Sequence, residues 1–326
     1  MNVTVVGAGA WGTALALILQ QNGHRLVVWG HDPRHLDAMR RVGQNEAFLP
    51  GIPLPIDWQF ESSVSQAVQG ADLILMVVPS KAFREVAKAL GPVRVPIITA
   101  TKGIELDTSL TMGGVLESLF PHVPVAALSG PSLAPEVARG IPTAVVAASS
   151  DPSTAAQVQE TFHRPQFRVY RSTDRLGVEL GGALKNIIAI GAGVCDGLGF
   201  GDNSKAALVT RGQAEIRRIG VACGARPETF YGLSGLGDLT VTCFSKMSRN
   251  RSLGERLGRG ETLAEAIAAT ASIAEGVPTA RAALRLAQLR EVEVPIIREI
   301  HAMLFENKDV RHGVRDLLAR DLKAED

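Results

Sequence analysis

Cysteine is scarce in this 326-residue chain: Cys195, Cys223 and Cys243 are widely spaced, with no CxxC pair and no neighbouring histidine. That spacing argues against a zinc site and against a disulfide framework, and no metal is expected. Reduced thiols in a cytoplasmic protein are the expectation. Net charge is scarce too, +1 from 34 Lys plus Arg against 33 Asp plus Glu. Such a balance gives no bulk attraction to nucleic acid or to an acidic membrane surface, so any anion binding must be local. Internal repeats and low-complexity segments are missing. Residues 1–23 carry no charged side chain, yet no basic segment precedes the apolar run, and Gly7, Gly9, Gly12, Gln20, Gln21 and Asn22 interrupt it. A soluble interior element explains this stretch better than a signal peptide or a membrane-inserted helix.

What the chain does have is apolar residues, 46% of the total, enough for two cores at this length. Asn2 to Val6 is a β-branched run that enters Gly7-Ala-Gly-Ala-Trp-Gly12 and then a helical apolar stretch. Strand, glycine loop and helix in this order predict dinucleotide binding, with the phosphates on the helix N-terminus. A second strand, Arg25 to Trp29, leads to His31, Asp32 and Arg34, where the adenosine ribose is expected. A carboxylate there favours NAD and a cation favours NADP, so the mixture leaves the preference open; surface residues capping a helix at Pro33 are the plainer alternative. Further strands are predicted at 72–79, 97–101, 125–128, 143–148 and 167–170, with helices at 80–90 and 152–162. Lys102 follows one strand and Gly130 and Ser132 another, placing an ammonium, an amide and a hydroxyl at the carboxyl edge of a parallel sheet. A surface lysine and a plain loop with a helix start at Ser132 account for the same residues.

After residue 170 the β-branched runs give way to helical patterns. Val178 to Gly193 is built of small and aliphatic residues around a single lysine, Lys185. On a packed helix that ammonium is desolvated, which lowers its pKa and suits proton transfer; a lysine that snorkels to the surface is the alternative. Asp238 sits among glycines and leucines and needs a cationic partner if dry. Ser248-Arg-Asn-Arg251 has the composition for a phosphate dianion, or is a solvated basic helix start. Glu275 precedes a helix and could cap it.

In sequence order, GAGAWGTALA at 7, WGHDP at 29, ATKGIE at 100, LSGPS at 128, GVELGGALKN at 177, GLGDL at 235 and SRNR at 248 give the chain a close resemblance to the NAD(P)-dependent glycerol-3-phosphate dehydrogenase family, from residue 2 to about 318. The resemblance implies an α/β fold: a Rossmann-type doubly wound sheet in residues 1–177 and an all-helical domain in 178–326, with the site between them. By position it makes Lys185 the proton acceptor. It places Lys102, Gly130, Ser132, Asp238, Ser248, Arg249 and Asn250 on the substrate. Gly7, Gly9, Ala10, Trp11, Gly12, His31, Lys102, Ala134, Arg249, Ile273 and Glu275 fall where NAD or NADP is held. Many relatives carry Ser or Asn at Ala10, so one side-chain contact to the pyrophosphate is missing here.

The resemblance further implies a small phosphorylated substrate, dihydroxyacetone phosphate, reduced to sn-glycerol 3-phosphate for phospholipid synthesis. Lys185 then supplies the proton while Asp238 holds its ammonium and Arg249 and Asn250 grip the phosphate. No nucleic-acid or membrane partner is expected, and a homodimer is left open. A related two-domain hydroxy acid or hydroxyacyl dehydrogenase would share the Rossmann half without needing SRNR. A non-catalytic NAD(H) sensor would have no need of a lysine on a buried helix.

Overall fold

The computed structural model describes residues 1–269, 274–321 and 324. Its ten strands are β1 (Asn2–Val6), β2 (Arg25–Trp29), β3 (Gln44–Asn45), β4 (Leu49–Pro53), β5 (Gln59–Glu61), β6 (Leu73–Met76), β7 (Ile97–Thr99), β8 (Val125–Ser129), β9 (Thr143–Ala148) and β10 (Phe167–Ser172). The helices among them are α1 (Ala10–Gln21), α2 (Pro33–Val42), α3 (Val64–Ala67), α4 (Phe83–Ala89), α5 (Met112–Leu119), α6 (Ala134–Ala138) and α7 (Pro152–Phe162).

Eight strands form one sheet in the order β10-β9-β8-β7-β6-β1-β2-β5. Val3 pairs with Leu26 on one side and Leu73 on the other, so β1 lies inside the sheet, buried on both faces as its β-branched composition requires. The strand order reverses between β1 and β6, which opens a crevice beyond their carboxyl ends. Every pairing is parallel except β8 with β9, so the last two strands run against the other six. The predicted run 72–79 keeps only Leu73–Met76 in the ladder. Beyond Met76 the chain meets the glycine loop, where a Cβ on Gly7 would lie 2.3 Å from the Val77 carbonyl oxygen.

From residue 175 the chain is helical: α8 (Arg175–Gly197), α9 (Asp202–Ala222), α10 (Asp238–Phe244), α11 (Arg249–Gly258), α12 (Leu263–Ala268), α13 (Gly276–Leu289), α14 (Pro295–Phe305) and α15 (Val310–Leu318). At the start of α9, Gly201 holds the cap position without a side-chain bond. α8 is long and apolar enough to cross a membrane, but its apolar window is wholly buried inside the fold. Glycine makes that burial possible. A Cβ on Gly254 of α11 would lie 1.9 Å from the Ile190 carbonyl oxygen, and one on Gly193 would lie 1.9 Å from that of Arg251. Gly254→Ala therefore forces the two helices apart, an overpacking that costs about 1–3 kcal/mol or more. α8 also docks on the sheet, where Val146, Ala148 and Val178 share a small core and Gly182 lies over the Ser129 hydroxyl.

Candidate active site

The three glycines of the loop divide two tasks. Gly7 has φ +136° and a Cβ on Gly12 would lie 1.9 Å from the Gly7 carbonyl oxygen, so these two let strand and helix close up. Gly9 has open space where a side chain would be, and as the cap of α1 it makes no side-chain bond. The first-turn N–H groups of α1 are thus left for a ligand, and a pyrophosphate fits there. Ala10 and Trp11 begin α1; the half-buried indole of Trp11 packs on the sheet-half core with Ala134, the first residue of α6. Its Nε1 has no hydrogen-bond partner among the described residues.

His31 is exposed. Asp32 caps α2 by accepting from the Arg34 N–H at 3.0 Å, and that bond holds its carboxyl below the usual range. The exposed Arg34 guanidinium lies 3.5 Å from the same carboxylate. The capping alternative thus accounts for Asp32, and neither a free carboxylate nor a clean basic pocket stands at this corner.

The charged centre lies where α8, α10 and the end of β7 converge. Lys185 is 5% exposed and does not snorkel. Its Nζ donates to Asp238 Oδ1 at 2.5 Å and to Thr242 Oγ1 at 2.5 Å. The Thr242 hydroxyl in turn donates to the Asp238 carbonyl one helical turn back, at 2.6 Å. Asp238 finds the cationic partner it needs twice over, because Lys102 Nζ donates to its Oδ2 at 2.6 Å. Lys102 is half-buried and also donates to the Gly130 carbonyl at 3.3 Å, the oxygen that accepts from the Ser132 hydroxyl at 3.0 Å. Ser132 starts no helix; α6 begins two residues later. The chain enters α10 through a π-helical turn, Leu233–Gly237, which fits because Gly181 leaves room for the Ser234 carbonyl and Gly235 sits on that of Phe230.

Burial draws Lys185 down to about 8, Asp238 opposes the fall, and the Lys102 charge adds to it. Burial pushes the neighbouring Cys243 thiol up to about 12, so it adds no negative charge near neutral pH. Two ammonium groups share one carboxylate, which leaves the cluster with a positive charge to offer.

The tetrapeptide at 248–251 divides. Ser248 caps α11, accepting from the Arg251 N–H at 3.2 Å. Arg251 is buried and turned away, with Glu255 at 2.6 Å and Asp196 at 3.3 Å. Arg249 is exposed and makes no ion pair among the described residues. The Asn250 side chain donates to Asn186 Oδ1 and accepts from the Gly276 N–H, both at 2.9 Å, which ties α11 to α8 beside Lys185 and to the start of α13. Its amide is therefore a clamp, leaving the uncapped N–H groups of α11 and the Arg249 fork for an anion. Glu275 makes no capping bond with its side chain, which instead reaches across to Ser80, the Ser80 hydroxyl donating at 2.5 Å. Ile273 lies outside the described residues.

Direct bonds thus unite Lys102, Gly130, Ser132, Asp238 and Lys185, and the Asn186–Asn250 bridge joins them to Ser248 and Arg249. Gly7, Gly9, Ala10, Trp11, Gly12, His31 and Ala134 lie apart from that network, along the glycine loop and the edge of the sheet. Three participants were not among the sequence candidates. Thr242 carried a signal in its i+4 spacing from Asp238, and Asn186 in following Lys185; Ser80 carried none.

A Rossmann-type sheet with an open helix N-terminus, joined to a helical half that buries a lysine–carboxylate pair, defines a two-domain NAD(P)-dependent dehydrogenase. Comparison with known proteins is more specific. Residues 2–155 match the model of the NAD-dependent glycerol-3-phosphate dehydrogenase N-terminus and residues 174–315 that of its C-terminus. Glycerol-3-phosphate dehydrogenase [NAD(P)+] from Geobacter sp. (strain M21) is 47% identical over 329 residues, spanning 99% of this chain and 98% of that protein. The Fusobacterium nucleatum enzyme of the same name is 46% identical over 330 residues, spanning 100% and 98%. The crystal structure of glycerol-3-phosphate dehydrogenase from Coxiella burnetii superposes with a TM-score of 0.94 at 40% identity, over 98% of this chain and 99% of that one. The chain belongs to the NAD-dependent glycerol-3-phosphate dehydrogenase family.

Proposed function

We propose that the protein is an NAD(P)-dependent oxidoreductase that interconverts dihydroxyacetone phosphate and sn-glycerol 3-phosphate, and so supplies the glycerol phosphate backbone for phospholipid synthesis. The observation that carries the site assignment is the dry Lys185 ammonium, held by Asp238 and Thr242 and tied through Asn186 and Asn250 to the corner that carries Arg249. When bound, the nicotinamide supplies hydride to C2 of the ketone, or takes it back. Lys185 gives its proton to the carbonyl oxygen as negative charge grows there, and in the reverse direction neutral Lys185 removes it. Asp238 orients that ammonium. Lys102 adds positive charge on the same side, stabilising the developing alkoxide. Arg249 and the first N–H groups of α11 hold the phosphate, with Ser248 fixing that helix end; the Gly130 and Ser132 loop orients Lys102.

In this reading residues 1–177 hold the dinucleotide and 178–326 the substrate, with Lys102 lent by the first half. Gly9, Ala10, Trp11 and Ala134 frame the pyrophosphate, His31 the ribose end, and Glu275 the nicotinamide side of the cleft. All three cysteines are free, in keeping with a reducing cytoplasm. The reading calls for no nucleic-acid or membrane partner. A homodimer is compatible with it and is tested by sedimentation.

NADH or NADPH oxidation is measured with dihydroxyacetone phosphate and with unphosphorylated dihydroxyacetone. Turnover of the phosphorylated ketone, with at least a 100-fold lower kcat/KM for the other, is expected. Equal rates would remove the phosphate corner from the mechanism.

A further inference from the structure

Glu275 sits in an awkward place for a carboxylate. The next residue, Gly276, donates its N–H to the Asn250 side chain at 2.9 Å, and Asn250 directly follows Arg249. A negative charge is thereby brought beside the corner where the proposed reading seats a phosphate dianion. Left to itself, such a carboxylate would pair with the Arg249 guanidinium and compete with the phosphate for it. It does not do so here. Ser80 takes both of its oxygens: the Ser80 hydroxyl donates to Oε2 at 2.5 Å and the Ser80 N–H to Oε1 at 3.3 Å. Ser80 is itself wedged, since a Cβ on Gly103 would lie 2.5 Å from the Ser80 Cβ. Burial raises the Glu275 carboxyl above its usual range, and the two Ser80 bonds and then the nearby Arg249 charge oppose that rise; Arg249 itself stays exposed and without an ion pair among the described residues.

We propose that Ser80 is a positioning residue that determines specificity: it holds the Glu275 carboxylate on the sheet side of the cleft and so keeps Arg249 available to the substrate phosphate. The inference rests on Arg249 being the phosphate contact. It explains why a serine, with a hydroxyl and an N–H to donate, follows Pro79 a few residues beyond β6. A mere strap between the two halves would show the same two bonds, but would not depend on the charge of Glu275.

The charge dependence is the test. Glycerol 3-phosphate is titrated calorimetrically into protein saturated with NADH, a pair that cannot react because both are already reduced. Ser80→Ala is expected to weaken glycerol 3-phosphate about tenfold, because the freed carboxylate moves onto Arg249. Adding Glu275→Gln to that variant is expected to restore affinity to within about threefold of the parent. Parent-like affinity in Ser80→Ala, or a double variant as weak as Ser80→Ala, overturns the proposal. Should Ser80→Ala not fold, Ser80→Cys, a much weaker donor of similar size, takes its place: a loss of glycerol 3-phosphate affinity that Glu275→Gln reverses supports the proposal, and unchanged affinity or a loss that persists in the double variant overturns it. A parent that fails to turn over dihydroxyacetone phosphate would refute the assigned function instead, and that result is read separately.

Discussion

The two functional regions of the molecule are built in opposite ways. The proposed dinucleotide cradle is six consecutive residues, Gly7 to Gly12, whose working parts are backbone and whose demand on the rest of the fold is that β1, α1 and the Val77 carbonyl close up behind it. The charged centre takes side chains from positions 80, 102, 185, 238, 242, 249 and 275 and the backbone carbonyl of Gly130, and no two of its ion-paired members are neighbours in sequence. The first kind of site tolerates variation elsewhere because its geometry is local. The second depends on helix packing across both halves, and its glycines at 181, 193, 235 and 254 act at a distance by setting where backbones lie.

The largest effect is expected at the centre. Lys185→Ala is expected to lower kcat at least ~10²-fold, the usual loss with a general acid, while a fluorescence titration still shows NADH bound with near-parent affinity. A near-normal kcat would remove Lys185 from proton transfer. The same residue sets the pH dependence. With its pKa held to about 8, ketone reduction is expected to slow as pH rises through 8 and the proton is lost. Alcohol oxidation is expected to speed up over the same interval, and two profiles of the same sign would contradict the assignment.

Next comes the anion corner. One charge-assisted contact is worth roughly 1.5–3 kcal/mol, so Arg249→Ala is expected to cut kcat/KM for dihydroxyacetone phosphate by about 10- to 150-fold. Arg249→Lys is expected to recover only part of this, for want of the planar fork. The already low rate with unphosphorylated dihydroxyacetone is expected to hold; if both substrates lose equally, Arg249 serves the fold or the cofactor.

In the cradle a smaller effect separates its two kinds of glycine. Gly9→Ala meets nothing in the free protein and is expected to melt within a few degrees of the parent, while NADH affinity falls about tenfold as the methyl enters the phosphate's space. Gly12→Ala, with the Gly7 carbonyl in the way, is expected to lose stability as well. Calorimetric melts beside NADH titrations compare the two; an unchanged NADH affinity in Gly9→Ala would move the pyrophosphate elsewhere.

The smallest effect is expected at the ribose corner. The Arg34 side chain is 93% exposed, and its one ion pair among the described residues is with Asp32. Both NADH and NADPH are expected to be used, and Arg34→Ala is expected to shift their kcat/KM ratio towards NADH by less than about tenfold, since an exposed charge is well screened. A 100-fold shift would reveal a 2′-phosphate pocket.

The sequence by itself determined the strand–glycine–helix cradle, the change to an all-helical half after residue 170 and the isolation of one lysine on a buried helix. These follow from β-branched runs, i, i+3, i+4 spacing and the steric freedom of glycine, all written within a few adjacent residues. It also required a cation for Asp238, and the family resemblance named Lys185, but nothing in it named Lys102 as the second, because that demand is set by desolvation alone. Only the tertiary structure decided that two lysines from different halves share this carboxylate, that Arg251 turns inward while Arg249 stays free, that the Asn250 amide clamps helices, and that Glu275 abandons its helix for Ser80. Each of these choices turns on which of several competent partners comes within about 3 Å, and that distance is fixed by packing among residues as far apart in the chain as Ser80 and Glu275.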